Sequence, residues 1–211
     1  MAADPTRGPD FRWETPLWTQ GLVRVAGVDE VGRGPLAGPV VAVAVILPPG
    51  WAPVGLDDSK RLTPQQREAL AEVLCANAVD WGLGSAEPDE IDRINIRRAT
   101  LAAMARAVAK LQSAPQYLLV DGRDLPDPLP CPARAVVKGD ATSVAIAAAS
   151  VLAKVARDAL MRDLADRYPG YGWEHNMGYP TAQHRQALRE RGVTPCHRRS
   201  FGPVRQALEM L

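Results

Sequence analysis

The sequence predicts an α/β fold with a mixed central sheet flanked by helices. Short runs of β-branched residues follow one another near the N-terminus, which is typical of directly connected strands. Further along the chain, short apolar runs alternate with segments of helical period, and the C-terminal third is helical. Early strands followed by alternating strands and helices favour a sheet with both antiparallel and parallel pairs.

Five strands are predicted from their composition and their boundaries. The first two lie at residues 23–28 and 40–47, and the glycine-rich turn 32–38 joins them. Short strands are also predicted at 81–85, 117–120 and 135–137. The last two are apolar runs that end in polar residues, which indicates buried strands that present polar side chains at their C-terminal ends.

Helices are predicted between and after these strands. Thr63 and Pro64 supply a cap and a proline at the first helical position, and helical spacing continues to about residue 79. Pro88 begins a predicted long helix that reaches residue 111. The alanine-rich segment 141–167 predicts another long helix, with a buried first half. Shorter helices are expected at 181–191 and from residue 203 onward.

The length of 211 residues, 46% of them hydrophobic, suits one domain with a small extension. Residues 1–20 are rich in proline, glycine and charge, and they predict a poorly ordered arm whose aromatic side chains dock on the body. Residues 21–168 are expected to form the α/β body, and residues 169–211 a helical extension.

The formal charge of +1 excludes a disordered polyanion or polycation. Its distribution is uneven, because residues 1–150 carry a net charge of −3 and residues 151–211 a net charge of +4. An acidic body is suited to binding cations, and a basic C-terminal third is suited to binding a polyanion.

The cysteines and the hydropathy pattern bear on the cellular compartment. Cys75, Cys131 and Cys196 lie far apart with no C-x-x-C spacing, which argues against a disulfide framework and against a zinc site. The longest apolar stretch, at 40–47, is much shorter than the roughly 20 residues that span a bilayer. No signal peptide is recognisable at the N-terminus. The expected location is therefore the cytoplasm, without membrane contact.

Carboxylates follow three of the predicted strands. Asp29 and Glu30 end the first strand, Asp121 ends the strand at 117–120, and Asp140 comes shortly after a third apolar run. Such residues are expected to meet at one edge of the sheet. Clustered carboxylate oxygens are suited to Mg²⁺ or Mn²⁺, which are hard cations.

A glycine fingerprint suggests a different function. Residues 32–37 fit G-x-G-x-x-[GA] after a strand, which is the pattern of a dinucleotide-binding fold. That pattern requires a helix directly afterwards, whose N-terminus binds the pyrophosphate. Here Pro39 is followed by a strand-like run, so the dinucleotide alternative is disfavoured.

Several ordered motifs resemble those of bacterial type 2 ribonuclease H (RNase HII). They are GVDEVGRGPLAGPVV from residue 27, LDDSK from 56, IDRINI from 91, VDG from 120, KGD from 138, ASVLAKVARD from 149 and CHRRSF from 196. The resemblance covers residues 22–208. It implies an RNase H-like fold with a C-terminal helical extension that contacts the duplex.

The resemblance also implies an activity and a metal site. The family hydrolyses RNA in RNA/DNA hybrids and cuts 5′ of single ribonucleotides embedded in duplex DNA, leaving 3′-hydroxyl and 5′-phosphate ends. Its metal-binding carboxylates correspond to Asp29, Glu30, Asp121 and Asp140. Two Mg²⁺ or Mn²⁺ ions are expected with substrate, one activating the attacking water and one stabilising the leaving oxygen.

The alternation of side chains along a strand raises a difficulty for this site. Successive side chains point to opposite faces, so Asp29 and Glu30 cannot both face the metals from a regular strand. The following glycines permit a turn. We therefore expect the strand to distort or end by Glu30, since a straight strand through Val31 would remove Glu30 from the site.

Recognition of the 2′-hydroxyl is implied for the turn Gly32, Arg33 and Gly34. Glycines at both ends would let the backbone approach a sugar closely. In the family a tyrosine in the C-terminal segment assists by packing on the neighbouring deoxyribose, and Tyr179 matches it. Many relatives have lysine where this chain has Met177, so the sequence departs from the family at this position.

Further substrate contacts are predicted within the shared motifs, at Ser59, Lys60, Lys138 and Ser150. Ser150 and Lys154 share one face of the long helix, and packing is an alternative for both. Arg157 and Asp158 are interpreted as a structural polar pair. Arg198 and Arg199 are expected to contact the duplex backbone.

Three alternatives compete with this hypothesis. A histidine pair could cleave RNA without metal, although no spacing pairs His175, His184 or His197, and EDTA would separate the mechanisms. A binding module without catalysis would leave the carboxylates unexplained. Type 3 ribonuclease H would usually add an N-terminal domain that 20 residues cannot form. We expect a monomer acting on RNA/DNA hybrids or ribonucleotide-containing duplex DNA, with no obligate protein partner.

Overall fold

The computed structural model describes residues 8–209 and contains a five-stranded mixed sheet. The strands are β1 (Val25–Val31), β2 (Val40–Ile46), β3 (Asp80–Ala86), β4 (Tyr117–Asp121) and β5 (Ala133–Val136), in the spatial order β3-β2-β1-β4-β5. β2 pairs antiparallel with β1 and β3, whereas β4 pairs parallel with β1 and β5. The predicted mixed sheet is confirmed.

Eight helices occur in the described residues. They are α1 (Thr15–Trp18), α2 (Pro64–Asn77), α3 (Pro88–Ile94), α4 (Ile96–Ala109), α5 (Val144–Arg167), α6 (Trp173–Asn176), α7 (Ala182–Arg191) and α8 (Gly202–Glu209). The predicted start of α2 is confirmed, because the Thr63 hydroxyl accepts a hydrogen bond from the Gln66 amide as a helix cap. None of these helices is long and apolar enough to cross a membrane.

The single long helix predicted from Pro88 to residue 111 is wrong. The chain breaks at Asn95, whose φ of 67° lies in the left-handed region. The Asn95 side chain accepts a hydrogen bond from the Arg98 amide at 3.1 Å and so caps the second helix. Asparagine tolerates this backbone conformation and is a good helix cap. The chain can therefore break at Asn95 although the apolar period continues on both sides.

Helices cover both faces of the sheet. On one face, alanines and Met104 of α4 pack on β2 and β3. On the other face, α5 packs on β1 and β2, and α2 packs against α5. α5 lies unusually close to β1, because a methyl group at Gly27 would overlap the backbone carbon and oxygen of Ala145. This contact places the first half of α5 directly over the strand that carries Asp29.

Residues 8–20 pack against the start of α5. Trp13 Nε1 donates to Thr142 Oγ1 at 3.1 Å. The Glu14 carboxylate is buried and accepts hydrogen bonds from the Ser143 hydroxyl at 2.6 Å and from the Ala145 amide at 3.0 Å. Residues 1–7 of the predicted arm lie outside the described residues. The domain limits at residues 20 and 168 stay predictions.

Candidate active site

Three carboxylates meet at the C-terminal end of the central parallel pair. Asp29, Glu30 and Asp121 each offer one oxygen, and these atoms all lie within 4.8 Å of one another. The parallel register aligns Val28 of β1 with Val120 of β4, so Asp29 and Asp121 are the next residue on each strand. Asp29 is only 4% exposed, and the other two carboxylates are half-buried.

The strand that carries Glu30 does not end at that residue, contrary to expectation. β1 continues through Val31, and its register with β2 is unbroken, pairing Glu30 with Ala42 and Val31 with Val41. Glu30 nevertheless belongs to the carboxylate group. The pairing of β1 with β4 stops at Val28, so the side chain of Glu30 lies beyond that ladder. The prediction that Glu30 leaves the site when the strand continues through Val31 is therefore wrong.

Asp140 lies beside this group, in a short 3₁₀ turn (Gly139–Ala141) that follows β5. It is 6% exposed, and its Oδ2 accepts a hydrogen bond from Lys60 Nζ at 2.7 Å. The Gly139 amide donates to Asp121 Oδ1 at 2.6 Å, which joins the turn to β4. The group of three thus has a fourth carboxylate as its neighbour, held by a lysine.

Burial and mutual repulsion disfavour the charged forms of these carboxylates. Burial raises the pKa of Asp29 well above its ordinary value, and the charges of Glu30 and Asp121 add to the rise. Burial also raises the pKa of Glu30 and of Asp121, while Arg33 opposes the rise at Glu30. A bound cation would relieve this repulsion. The donor set of carboxylate oxygens fits Mg²⁺ or Mn²⁺.

The predicted serine and lysine contacts lie around the carboxylates. The Ser59 and Ser150 hydroxyls are 2.9 Å apart and buried, and the Ser150 hydroxyl opposes the rise in the pKa of Asp29. Lys60 is exposed apart from its bond to Asp140, and Lys138 is exposed one residue before Gly139. In this structure the two serines bind each other next to Asp29, while the lysines are open to solvent. Their contacts with substrate stay predictions.

The arginine assignments require two corrections. Arg198 is fully buried and donates to the carbonyls of Gly32, Arg33 and Gly38, so it cannot contact a duplex. Arg199 is exposed.

The predicted pair of Arg157 and Asp158 is also wrong. Asp158 accepts instead from Lys154 at 2.7 Å, and Arg157 binds backbone carbonyls. Sequence motifs identified these arginines but could not show that their partners are carbonyl groups distant in the chain.

Gly32 also has a structural role that the sequence did not predict. Its φ of 96° lies in the left-handed region, and a methyl group there would overlap Arg157 Nε. The missing side chain thus makes room for a buried arginine inside the protein. At Gly34, the ring atom Cε1 of Tyr179 lies 3.4 Å from the position that a Cβ would occupy. Tyr179 is 42% exposed and so lies beside the turn with one face open.

Two histidines that the sequence did not pair are in contact. His184 Nε2 and His197 Nε2 are 3.1 Å apart, and both side chains are buried. His184 Nδ1 faces the Tyr179 carbonyl, so Nδ1 carries the proton and Nε2 accepts from Trp173 Nε1. Neither histidine can reach a 2′-hydroxyl from this interior position, which argues against metal-free cleavage by these two residues.

This contact predicts an acid-sensitive contribution to stability. Burial, with the neighbouring His184, lowers the pKa of His197 to about 3 from an ordinary value of 6.5. A depressed folded pKa contributes stability above pH 6.5 that is lost as the pH falls toward 3. We expect this residue to lower the free energy of unfolding by about 2 kcal/mol between pH 7 and pH 5.

Urea unfolding at pH 7 and pH 5 checks this expectation. The wild type should lose more stability than His197→Gln over that interval, because glutamine does not titrate. Equal losses in the two proteins would contradict the assignment of a neutral, buried His197.

Comparisons with known proteins agree with this geometry. A family model described as Ribonuclease HII matches residues 26–204. The Ribonuclease HII of Ruegeria pomeroyi is 58% identical over 200 residues, which cover 95% of this chain and 85% of the relative. The ribonuclease H2 structure from Pyrococcus horikoshii OT3 matches with a TM-score of 0.78 at 29% identity, covering 89% of this chain and 98% of that one. The Archaeoglobus fulgidus RNase HII, solved in a complex with PCNA, matches with a TM-score of 0.70 at 25% identity, covering 85% and 95% respectively.

Proposed function

Since the chain belongs to the ribonuclease HII family and is thus an endoribonuclease of RNA/DNA hybrids, we propose that it also cuts 5′ of single ribonucleotides embedded in duplex DNA. The products are a 3′-hydroxyl and a 5′-phosphate. The observation that carries this proposal is the group of Asp29, Glu30 and Asp121, whose oxygens lie within 4.8 Å of one another.

The metal-binding residues in this proposal are Asp29, Glu30, Asp121 and Asp140. Two Mg²⁺ or Mn²⁺ ions would supply activation of the attacking water and stabilisation of the leaving 3′-oxygen. The protein's own contribution is to hold four carboxylates together despite their repulsion. Backbone pairing of β1 with β4 aligns two of them, and the Gly139 amide and Lys60 hold Asp121 and Asp140.

Positive charge beside the carboxylates supports a nucleic-acid substrate. The cleft next to Glu30 and Asp121 is lined by Arg33, Arg97 and Arg123. Arg33 is exposed and reaches Glu30 at 3.3 Å, while Arg97 pairs with Asp124. Guanidinium groups are suited to phosphate oxygens, and such contacts position a duplex without reading its sequence. Lys60 and Lys138 would extend this positive surface on the other side of the site.

Selection of the ribonucleotide is assigned to the turn from Gly32 to Gly34, with Tyr179 packing on the adjacent deoxyribose. Replacing Tyr179 with alanine would remove a ring that is 42% exposed and lies beside Gly34. We expect kcat/KM on a single embedded ribonucleotide to fall about 10-fold to 100-fold, corresponding to roughly 1–3 kcal/mol of stacking. The thermal midpoint should stay within a few degrees. Unchanged cleavage would contradict the role of Tyr179.

The proposed activity is tested with a DNA duplex that carries one ribonucleotide. Wild-type protein is incubated with Mg²⁺, Mn²⁺ or EDTA, and the products are sized against 5′ and 3′ markers. An all-DNA duplex of the same sequence is the matched control. We expect one cut on the 5′ side that requires metal. Cutting in EDTA, or cutting on the 3′ side with a 2′,3′-cyclic end, would overturn the proposal.

We also propose a cellular location and an oligomeric state. The three cysteines are free, as suits a reducing cytoplasm. We propose a monomer that needs no obligate protein partner, because all four carboxylates come from one chain.

A further inference from the structure

Two buried arginines bind the turn that follows β1 from the inside. Arg198 donates to the carbonyls of Gly32 at 2.6 Å, Gly38 at 2.9 Å and Arg33 at 3.1 Å. Arg157 donates to three more carbonyls, which belong to Pro39 at 3.0 Å, Met177 at 3.0 Å and Ala37 at 3.1 Å. Both side chains are fully buried. Arg198 thus binds both ends of the turn, at Gly32 and Gly38, and Arg157 binds only its C-terminal end.

These guanidinium groups have backbone dipoles as partners. Within residues 8–209, neither Arg157 nor Arg198 forms an ion pair with a carboxylate. Burial lowers the pKa of Arg198 to about 9 and that of Arg157 to about 10, so both stay protonated at neutral pH. A buried charge is costly unless it is hydrogen-bonded, and carbonyls from distant parts of the chain supply that bonding here. Such an arrangement is rigid, because release of any carbonyl leaves a charge less well solvated.

The turn also carries exposed hydrogen-bond donors. Arg33 and Gly34 are exposed, and in the described residues their backbone amides have no acceptor. The carbonyls of Gly32 and Arg33 are already engaged by Arg198. The exposed backbone of this turn therefore has N–H groups free, while neighbouring carbonyl groups face inward. A free amide can donate to a hydroxyl oxygen, which a deoxyribose lacks at its 2′ position.

We propose that Arg198 is a positioning residue for ribonucleotide selection, acting through the turn. By holding the carbonyls of Gly32 and Arg33 inward, it keeps the free amides of Arg33 and Gly34 directed toward the sugar. This inference rests on the proposed function, since it concerns how the same site distinguishes ribose from deoxyribose.

Arg157 extends the arrangement to the loop that carries Tyr179. It joins the Ala37 and Pro39 carbonyls of the turn to the Met177 carbonyl. The Leu36 amide also donates to the Gly178 carbonyl at 2.7 Å. The turn and Tyr179 are therefore held at a fixed separation. The turn would contact the ribonucleotide and Tyr179 would contact the adjacent deoxyribose, so these two contacts move together.

Arg198→Lys is the principal test. Lysine keeps the charge but cannot direct donors to three carbonyls in the fork geometry of a guanidinium. Dissociation constants are measured by fluorescence anisotropy, with Ca²⁺ in place of Mg²⁺, for a duplex with one ribonucleotide and for its all-DNA counterpart. We expect the ratio of the two constants to fall about 10-fold in the variant, with all-DNA binding unchanged. With Mg²⁺, KM for the ribonucleotide duplex should rise more than kcat falls.

The control is Arg162→Lys, at an exposed arginine of α5 with one long contact to Glu68 at 3.5 Å. It should leave both dissociation constants unchanged. Arg198→Gln provides a second variant, and circular dichroism establishes the fold of each protein at the temperature of the assay. A folded variant with the wild-type ratio would overturn the proposal. Failure of both Arg198 variants to fold would also count against it, since the residue would then serve the fold rather than selection.

The wild type separates this inference from the proposed function. If the wild type cuts the ribonucleotide duplex and binds it more tightly than the all-DNA duplex, the proposed function holds. The Arg198 variants then test only the role of Arg198. If the wild type neither cuts nor prefers that duplex, the proposed function itself fails.

Discussion

Replacing Asp121 with asparagine is expected to abolish cleavage and, in the absence of metal, to make the protein more stable. Asparagine keeps an oxygen that can accept the hydrogen bond from the Gly139 amide, so the local fold is preserved. It removes one of the three negative charges that lie closest together. Loss of a metal-binding carboxylate should lower kcat about 1,000-fold or more, which corresponds to about 4 kcal/mol.

The gain in stability follows from the direction of the pKa shift. Burial and the charge of Asp140 raise the pKa of Asp121 in the folded protein. A raised folded pKa means that the ionised carboxylate destabilises the fold above that pKa, and that protonation restores the stability as the pH falls. Asparagine resembles the protonated form. Its advantage is therefore present at pH 7 and disappears below the unfolded pKa, near 3.9.

Thermal unfolding in EDTA and single-turnover cleavage measure the two effects. We expect the midpoint of Asp121→Asn to rise by about 2–4 °C at pH 7, the equivalent of about 1 kcal/mol for a chain of this size. Asp166→Asn, at an exposed aspartate of α5, is the matched control and should change neither quantity. A lower midpoint, or cleavage within tenfold of the wild type, would refute the assignment. Retained duplex binding by Asp121→Asn would further exclude a module that only binds.

The position of the carboxylates was predictable from the sequence because it depends on local signals. Apolar runs that end in aspartate indicate strands whose ends carry charge, and parallel strands bring those ends to one edge of the sheet. Asp29 and Asp121 meet for this reason. The alternation of side chains along β1 did not exclude Glu30, because its long side chain still brings an oxygen within 4.8 Å of oxygens of Asp29 and Asp121.

The environment of the arginines was not predictable, because it depends on groups far apart in the chain. Arg198 contacts carbonyls that are about 160 residues away, and Arg157 contacts carbonyls about 120 residues away. Charged residues are usually exposed, so a sequence pattern favours solvent or substrate as their partner. The break at Asn95 was missed although its cause is local. The apolar period continues through Asn95, which ends α3 and caps α4.

Gly27→Ala is expected to cause the largest loss of stability of any single methyl group added near the site. The new Cβ would overlap the backbone carbon and oxygen of Ala145, and backbone atoms cannot rotate away as a side chain can. α5 must therefore move away from β1, or β1 must bend. Overpacking of this kind costs about 3 kcal/mol or more, which lowers the thermal midpoint by roughly 6–12 °C.

The same displacement should impair cleavage even in molecules that remain folded. Gly27 and Asp29 lie on the same face of β1, and the helix above them carries Ala145 and Ser150, whose hydroxyl lowers the pKa of Asp29. Moving α5 would displace Ser150 from Asp29 and change the surroundings of the Asp29 carboxylate. Gly202→Ala is the control, because a methyl group there meets no atom within 4 Å. A thermal midpoint equal to that of the wild type would contradict the close packing of α5 on β1. A lower midpoint with full activity at low temperature would show that the position of Asp29 does not depend on this packing.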